Sequence, residues 1–276
     1  MKAEKVWILA IILLPVTTLF YEKTLATDQV RFHSETNGYS FIIPKGWIQI
    51  PEDIVRERYS KVLSSRTRAI VLYEAEFQME GKDKWFECPT ILVQMARYSA
   101  LGIRGTLRKD EFSDFVKSFT GRDVMESKDE LFGEVVTDVM TGYRVSKVVV
   151  DKANRRYTYV CEITIGDSSV IKSEVVGYFG KETIVQLMFN HYVEADWSRF
   201  ETDRNLIFGS FEFDPGMQHE DTLSKSSGIL DRLREAAARG LSYGLIAIVL
   251  GVIFGLFKLI TFLSRPEEKS GDEQKQ

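Results

Sequence analysis

The chain has 276 residues, 44% of them hydrophobic and 28% charged, with a formal net charge of −4. This mix excludes an intrinsically disordered chain, which lacks the apolar surface to offset the entropy of ordering. The mild acidity persists when both ends are set aside and argues against nucleic acid as a partner, because that affinity rests on clustered Lys and Arg.

Lys2 and Lys5 precede an apolar run from Val6 to Phe20, and Thr24 and Ala26 offer small residues before a cut. That is the layout of a signal peptide over residues 1–26; an uncleaved N-terminal anchor is the alternative. The run is shorter than the roughly 20 apolar residues of a bilayer span.

Residues 27–221 read as one soluble domain. Val30–His33 and Tyr39–Ile43 flank Asn37-Gly38, a tight-turn signal for a hairpin. Pro51 opens a helix with Val55, Tyr59, Val62 and Leu63 on one face. Ala69–Met79 is a strand in which Tyr73, Ala75 and Phe77 share a side opposite Glu74, Glu76 and Gln78. Thr90–Tyr98 is a second strand, and a helix over Leu107–Thr120 carries the stripe Phe112, Phe115, Val116 and Phe119. Tyr143–Val150, Arg155–Ile165, Val170–Phe179 and Thr183–His191 form an antiparallel meander. Thr183–His191 is apolar on both sides and belongs in mid-sheet. A helix over Ala195–Ile207 turns Trp197, Phe200 and Ile207 inward, and Phe211 and Phe213 end the domain. The fold class is α+β, a mostly antiparallel sheet flanked by helices as an α/β/α sandwich, followed by a C-terminal transmembrane helix.

Residues 222–240 continue as a helical juxtamembrane linker into Leu241–Leu263, apolar all round with the single charge Lys258 near its end. This is a membrane span, with Tyr243 at one interface. Gly251 and Gly255 form a GxxxG, the spacing that lets two helices approach closely and suggests a homodimer through the span. Basic residues balance across it, so orientation rests on the signal: the domain extracytoplasmic, periplasmic or on the outer face, with the tail 264–276 in the cytoplasm.

The chemistry-bearing residues form no familiar motif. Cys88 and Cys161 lack metal-site spacing; they form one disulfide in an oxidising compartment or stay as two separate buried thiols. His33, His191 and His219 are dispersed and read as structural or exposed. Glu74 and Glu76, with Asp110, Glu111 and Asp114, read as solvated faces. Trp47 and Trp197 read as core. No catalytic residue, cofactor site or metal site is assigned.

The stretch GYSFIIPKGWIQI at Gly38–Ile50, KETIVQLMFNHY at Lys181–Tyr192, the helix with Trp197 and Phe200, and FGSFEF at Phe208–Phe213 together resemble the PsbP-like family. That family includes an extrinsic photosystem II subunit, a nuclear Ran-binding protein and bacterial envelope proteins. The resemblance spans residues 30–214 and departs in two ways: the middle matches only in element order, and the C-terminal span is unusual for the family. It implies a non-catalytic binding or assembly module supporting a membrane complex through a protein partner. The alternative is an envelope enzyme or small-ligand-binding protein.

Overall fold

The computed structural model describes residues 30–220, apart from 104, 121–124, 126–131, 133, 167–168, 194–195 and 197. The signal segment, the linker, the span with Gly251 and Gly255, the tail and Trp197 lie outside the described residues. Among the described residues no helix is long and apolar enough to cross a membrane.

The chain opens as the expected hairpin, β1 (Val30–Ser34) on β2 (Tyr39–Ile43). Gly38 takes φ +62° at its turn, where an L side chain is disfavoured. Gly38 O also accepts from Asp214 N at 2.9 Å, where the returning β10 (Glu212–Phe213) pairs with the other side of β2.

The seven-stranded sheet uses β3 (Trp47–Gln49), β4 (Val71–Met79), β5 (Thr90–Arg97), β6 (Met140–Asp151), β7 (Arg156–Ile165), β8 (Ser169–Phe179) and β9 (Thr183–Tyr192). Its order is β3-β4-β5-β9-β8-β7-β6, and every pairing is antiparallel. The meander is therefore present, and β9 lies between β5 and β8 with Thr183–His191 buried, as its two-sided apolar pattern predicts.

One face is covered by α1 (Glu52–Val62), α3 (Phe112–Thr120) and α4 (Glu134–Thr137), which bury Val55, Tyr59, Phe112, Phe115 and Val136 against Leu92, Tyr159, Ile163 and Met188. A short α2 (Ser65–Arg68) joins α1 to β4; Ser64 Oγ caps it by accepting from Thr67 N at 3.2 Å. That turn delays the start of β4 from Ala69 to Val71. The other face carries the β1-β2-β10 sheet and α5 (Glu201–Gly209), packed through Tyr39, Phe41, Phe200 and Ile207 onto Phe77, Val93, Leu187 and Phe189. The expected helical layer is thus replaced on this side mainly by a small sheet, because β2 concentrates its aromatics on the side it must bury.

Local caps shorten two expected helices. Glu111 Oε2 accepts from Arg108 N at 2.9 Å, so residues 108–111 form a turn and α3 starts at Phe112. Asp196 Oδ1 accepts from Ser198 N and Oγ at 3.1 and 2.7 Å, starting a 3-10 turn (Ser198–Phe200) ahead of α5. A bulge in β4 has a larger effect. Tyr73 faces Gln94 and Ala75 faces Val93, leaving Glu74 extra. Tyr73 therefore joins the α1 face, opposite Ala75 and Phe77, which corrects the alternation read from sequence.

The described chain enters at Val30, beside Ile43, and leaves past Met217 and Glu220, which meet Lys181 in the β8–β9 turn. These points lie towards opposite ends of the sheet.

Candidate functional site

On α1 the stripe Val55, Tyr59, Val62 includes Arg58, one turn from Val55, so the guanidinium is carried beneath the helix. It meets Glu76 of β4 at 3.9 Å, with the two side chains 1% and 0% exposed. Tyr59 Oη donates to Glu76 Oε2 at 2.8 Å and Thr90 Oγ1 to Glu76 Oε1 at 3.2 Å. Burial raises the Glu76 carboxyl above its usual value; the Arg58 charge and the two hydroxyl donors act against that rise without cancelling it. The network continues across the sheet: Asn190 Nδ2 donates to Thr90 Oγ1 at 3.5 Å, and Ser173 Oγ donates to Asn190 Oδ1 at 2.6 Å.

The loop between β4 and β5 is braced from below. Gln78 Oε1 accepts from Phe86 N at 2.6 Å, and Gln78 Nε2 donates to Lys84 O at 3.3 Å. The Arg58 guanidinium lies 3.8 Å from the Phe86 ring centroid. Phe86 is held at φ +67°, a left-handed conformation that is strained for an aromatic residue and persists only where its surroundings fix it. With Phe86 turned in, its neighbour Trp85 is left 36% exposed.

A second charged cluster lies on the opposite face, beside α5. Glu174 of β8 accepts from Arg204 of α5, with Nη1 at 3.0 Å from Oε1 and 2.9 Å from Oε2. Lys172 Nζ is 3.7 Å and His191 Nε2 3.9 Å from Glu174 Oε1. Partial burial opposes the ionised carboxylate. The His191, Arg204 and Lys172 contacts outweigh it and hold the Glu174 carboxyl below its usual range. Next to Arg204, Asp203 Oδ2 accepts from Trp47 Nε1 at 2.9 Å, fixing that ring in the core.

The residues singled out in the sequence are dispersed through this architecture. Cys161 is a thiol buried in β7, and Cys88 is a half-buried thiol ahead of β5. Burial pushes the Cys161 thiol up to about 12, which suppresses the thiolate needed for attack. His33 Nε2 meets Asp214 Oδ2 at 2.9 Å on the surface, and the buried His219 contacts Leu107 O and packs edge-on to Phe112. Trp47 is core, as expected. Glu76 and Glu111 correct the solvated-face reading: both are buried. Half-buried Glu74 accepts from Ser34 Oγ, Asn37 Nδ2 and Tyr39 Oη, clasping the hairpin to β4. Asp110 does lie on the surface, paired with Arg108. Among the described residues no group of three His, Cys, Asp or Glu is placed to hold a metal ion. Arg58, Gln78, Phe86 and Arg204 were not singled out; Arg58 carried one signal, its place on the α1 stripe.

No family model and no curated protein matches this chain. Similar solved structures do exist. The solution structure of cyanobacterial PsbP (CyanoP) from Synechocystis is 13% identical with a TM-score of 0.38, over 67% of this chain and 92% of that one. LpqN of Mycobacterium tuberculosis, described as involved in cell envelope biogenesis, is 12% identical with a TM-score of 0.34, over 68% and 91%. A protein from Bacteroides thetaiotaomicron is 8% identical with a TM-score of 0.28, over 67% and 48%. A PsbP protein is thus among the solved structures to which this chain is similar. At these TM-scores the architecture rests on its own strand order, and the likeness decides nothing about function.

Proposed function

We propose that this chain is a non-catalytic binding or assembly module of the cell envelope, anchored by residues 241–263 and engaging a protein partner through the β4–β5 loop. The observation that carries this reading is Trp85, exposed on a loop whose neighbouring residue Phe86 is locked in a left-handed conformation from beneath by Gln78 and Arg58. A rigidly presented Trp suits a contact surface, because it offers large apolar area at little cost in lost rotamer freedom. The ionisable groups support the same reading. Glu76 is closed beneath α1, Cys161 is suppressed as a nucleophile, and Glu174 is engaged by Arg204 and Lys172.

The test is a photo-crosslinking amino acid placed at position Trp85 of the full-length protein in native membranes, with Leu72, 51% exposed at the far end of β4, as control. A discrete protein adduct from position 85 and none from position 72 is expected. The same adducts from both positions, or none from position 85, would remove the basis for the reading. The alternative, an envelope enzyme or small-ligand binder, would use the partly exposed Glu174 cluster. Turnover or ligand binding abolished by Glu174→Gln would favour it.

A further inference from the structure

β6 closes one side of the seven-stranded sheet: β7 is its neighbour there, and its other edge pairs with no strand among the described residues. It is 12 residues long, and Val148 and Val149 are 37% and 47% exposed. A long, partly apolar edge is a template for another strand, which natural proteins either block or use.

The charges along this edge select the strand that fits. On one face Arg144 lies opposite Glu162 of β7, with Nη2 2.5 Å from Oε2, and Glu162 in turn lies opposite Lys172 of β8. Further along, the signs reverse: Asp151 lies opposite Arg156, whose Nε is 3.5 Å from Asp151 Oδ2. Residues seven apart on a regular strand point to opposite faces. Arg144 and Asp151 nevertheless share one, because β6 holds an extra residue between Ser146 and Val149. On the other face Val145 and Val150 pack against the core beneath α1 and α3.

We infer that the β6 edge is a self-association surface: it takes the β6 edge of a second copy, antiparallel, across a two-fold axis between Lys147 and Val148. In that register Arg144 lies opposite the second copy's Asp151, Val145 opposite Val150, and Ser146 opposite Val149, each pair occurring twice. Both members of each pair share a face, which a two-fold axis normal to the sheet requires; a one-residue slip breaks the match. Charges then alternate across the junction: Lys172, Glu162 and Arg144 of one copy, then Asp151 and Arg156 of the other. Opposite charges facing across strands stabilise pairing, and like charges oppose it. β6 lies across the sheet from β4, so the pair leaves the Trp85 loop uncovered.

Two pools of the full-length protein in mild detergent test this register. Both carry Cys88→Ser, with the buried Cys161 left in place; one adds Arg144→Cys and the other Asp151→Cys. Opposed residues have Cα atoms about 4.5–5.5 Å apart, within disulfide reach. Under a mild oxidant a linked dimer should form when the pools are mixed, and from neither pool alone. Asp151 also accepts from Asn154 N at 3.0 Å in the β6–β7 turn, so Ser146→Cys with Val149→Cys replaces the first pair if that turn is lost. Arg144→Cys mixed with Val149→Cys is the off-register control. Folded pools that form no linked dimer on mixing overturn the inference, as does equal linkage from the control.

Discussion

Arg58 of α1 and Glu76 of β4 face each other at 3.9 Å with essentially no solvent on either side chain. Removing one member leaves a buried charge unmatched, at a cost of about 3–5 kcal/mol, whereas replacing both with apolar residues of similar volume is far milder. Glu76→Leu is therefore expected to lower the urea midpoint steeply, and Arg58→Met/Glu76→Leu to recover most of the loss. Chemical denaturation of the three proteins checks this, and a double variant as unstable as the single one would contradict it.

Glu76, buried, and Glu174, partly buried, drive pH dependence in opposite directions. Glu76 has its carboxyl raised above 4.5 in the fold, so its contribution is fully present below the unfolded value and is lost as pH rises through the folded one. Glu174 has its carboxyl lowered from 4.5, so its contribution is present above the unfolded value and is lost as pH falls through the folded one. Urea midpoints measured against pH for Glu76→Gln and Glu174→Gln, each relative to the parent, should change with opposite slopes.

Gly177 faces Tyr157 across β8 and β7, and a Cβ there would lie 2.1 Å from Tyr157 Cζ. The phenol crosses the glycine to accept from Gln186 Nε2 at 2.5 Å. Gly177→Ala must displace that ring, an overpacking expected to cost about 1–3 kcal/mol. Thermal unfolding reads the loss.

The clasp on Glu74 predicts a local effect. Glu74→Ala leaves Ser34, Asn37 and Tyr39 without their common acceptor and should speed hydrogen exchange at Val30–Ile43 well before the seven-stranded sheet responds. Uniform acceleration across β5 and β9 would show that the hairpin is not held there.

Much of this architecture was legible because backbone pairing follows hydrophobic period. The two-sided apolar run Thr183–His191 announced a central strand, and Asn37-Gly38 announced the hairpin. The site was less legible, for local reasons. The bulge at Glu74 breaks strict alternation and sends Tyr73 to the face of Glu76, and period alone assigns no bulge. Arg58 lay on the apolar stripe of α1, but its acceptor comes from another element, so the helix pattern gave no reason to bury a charge. Trp85 and Phe86 look equivalent as neighbouring aromatics; the Gln78 bonds and the Arg58 guanidinium, both supplied by other elements, go with Phe86 turning in.

The last described residue, Glu220, lies beside Lys181 of the β8–β9 turn, while Trp85 lies at the opposite ends of β4, β5 and β9. Seven residues of strand, at about 3.4 Å each, separate the two points by roughly 25 Å. If a partner were held at Trp85 as proposed, tension against the chain beyond Glu220 would reach the seven-stranded sheet through the Lys181 N–Met217 O hydrogen bond and the Gly180–Gln218 bridge, and from there run lengthwise along those strands. Their ladder bonds lie across that direction and would bear it together in shear, where a pull at one end of a single strand would unzip them in turn.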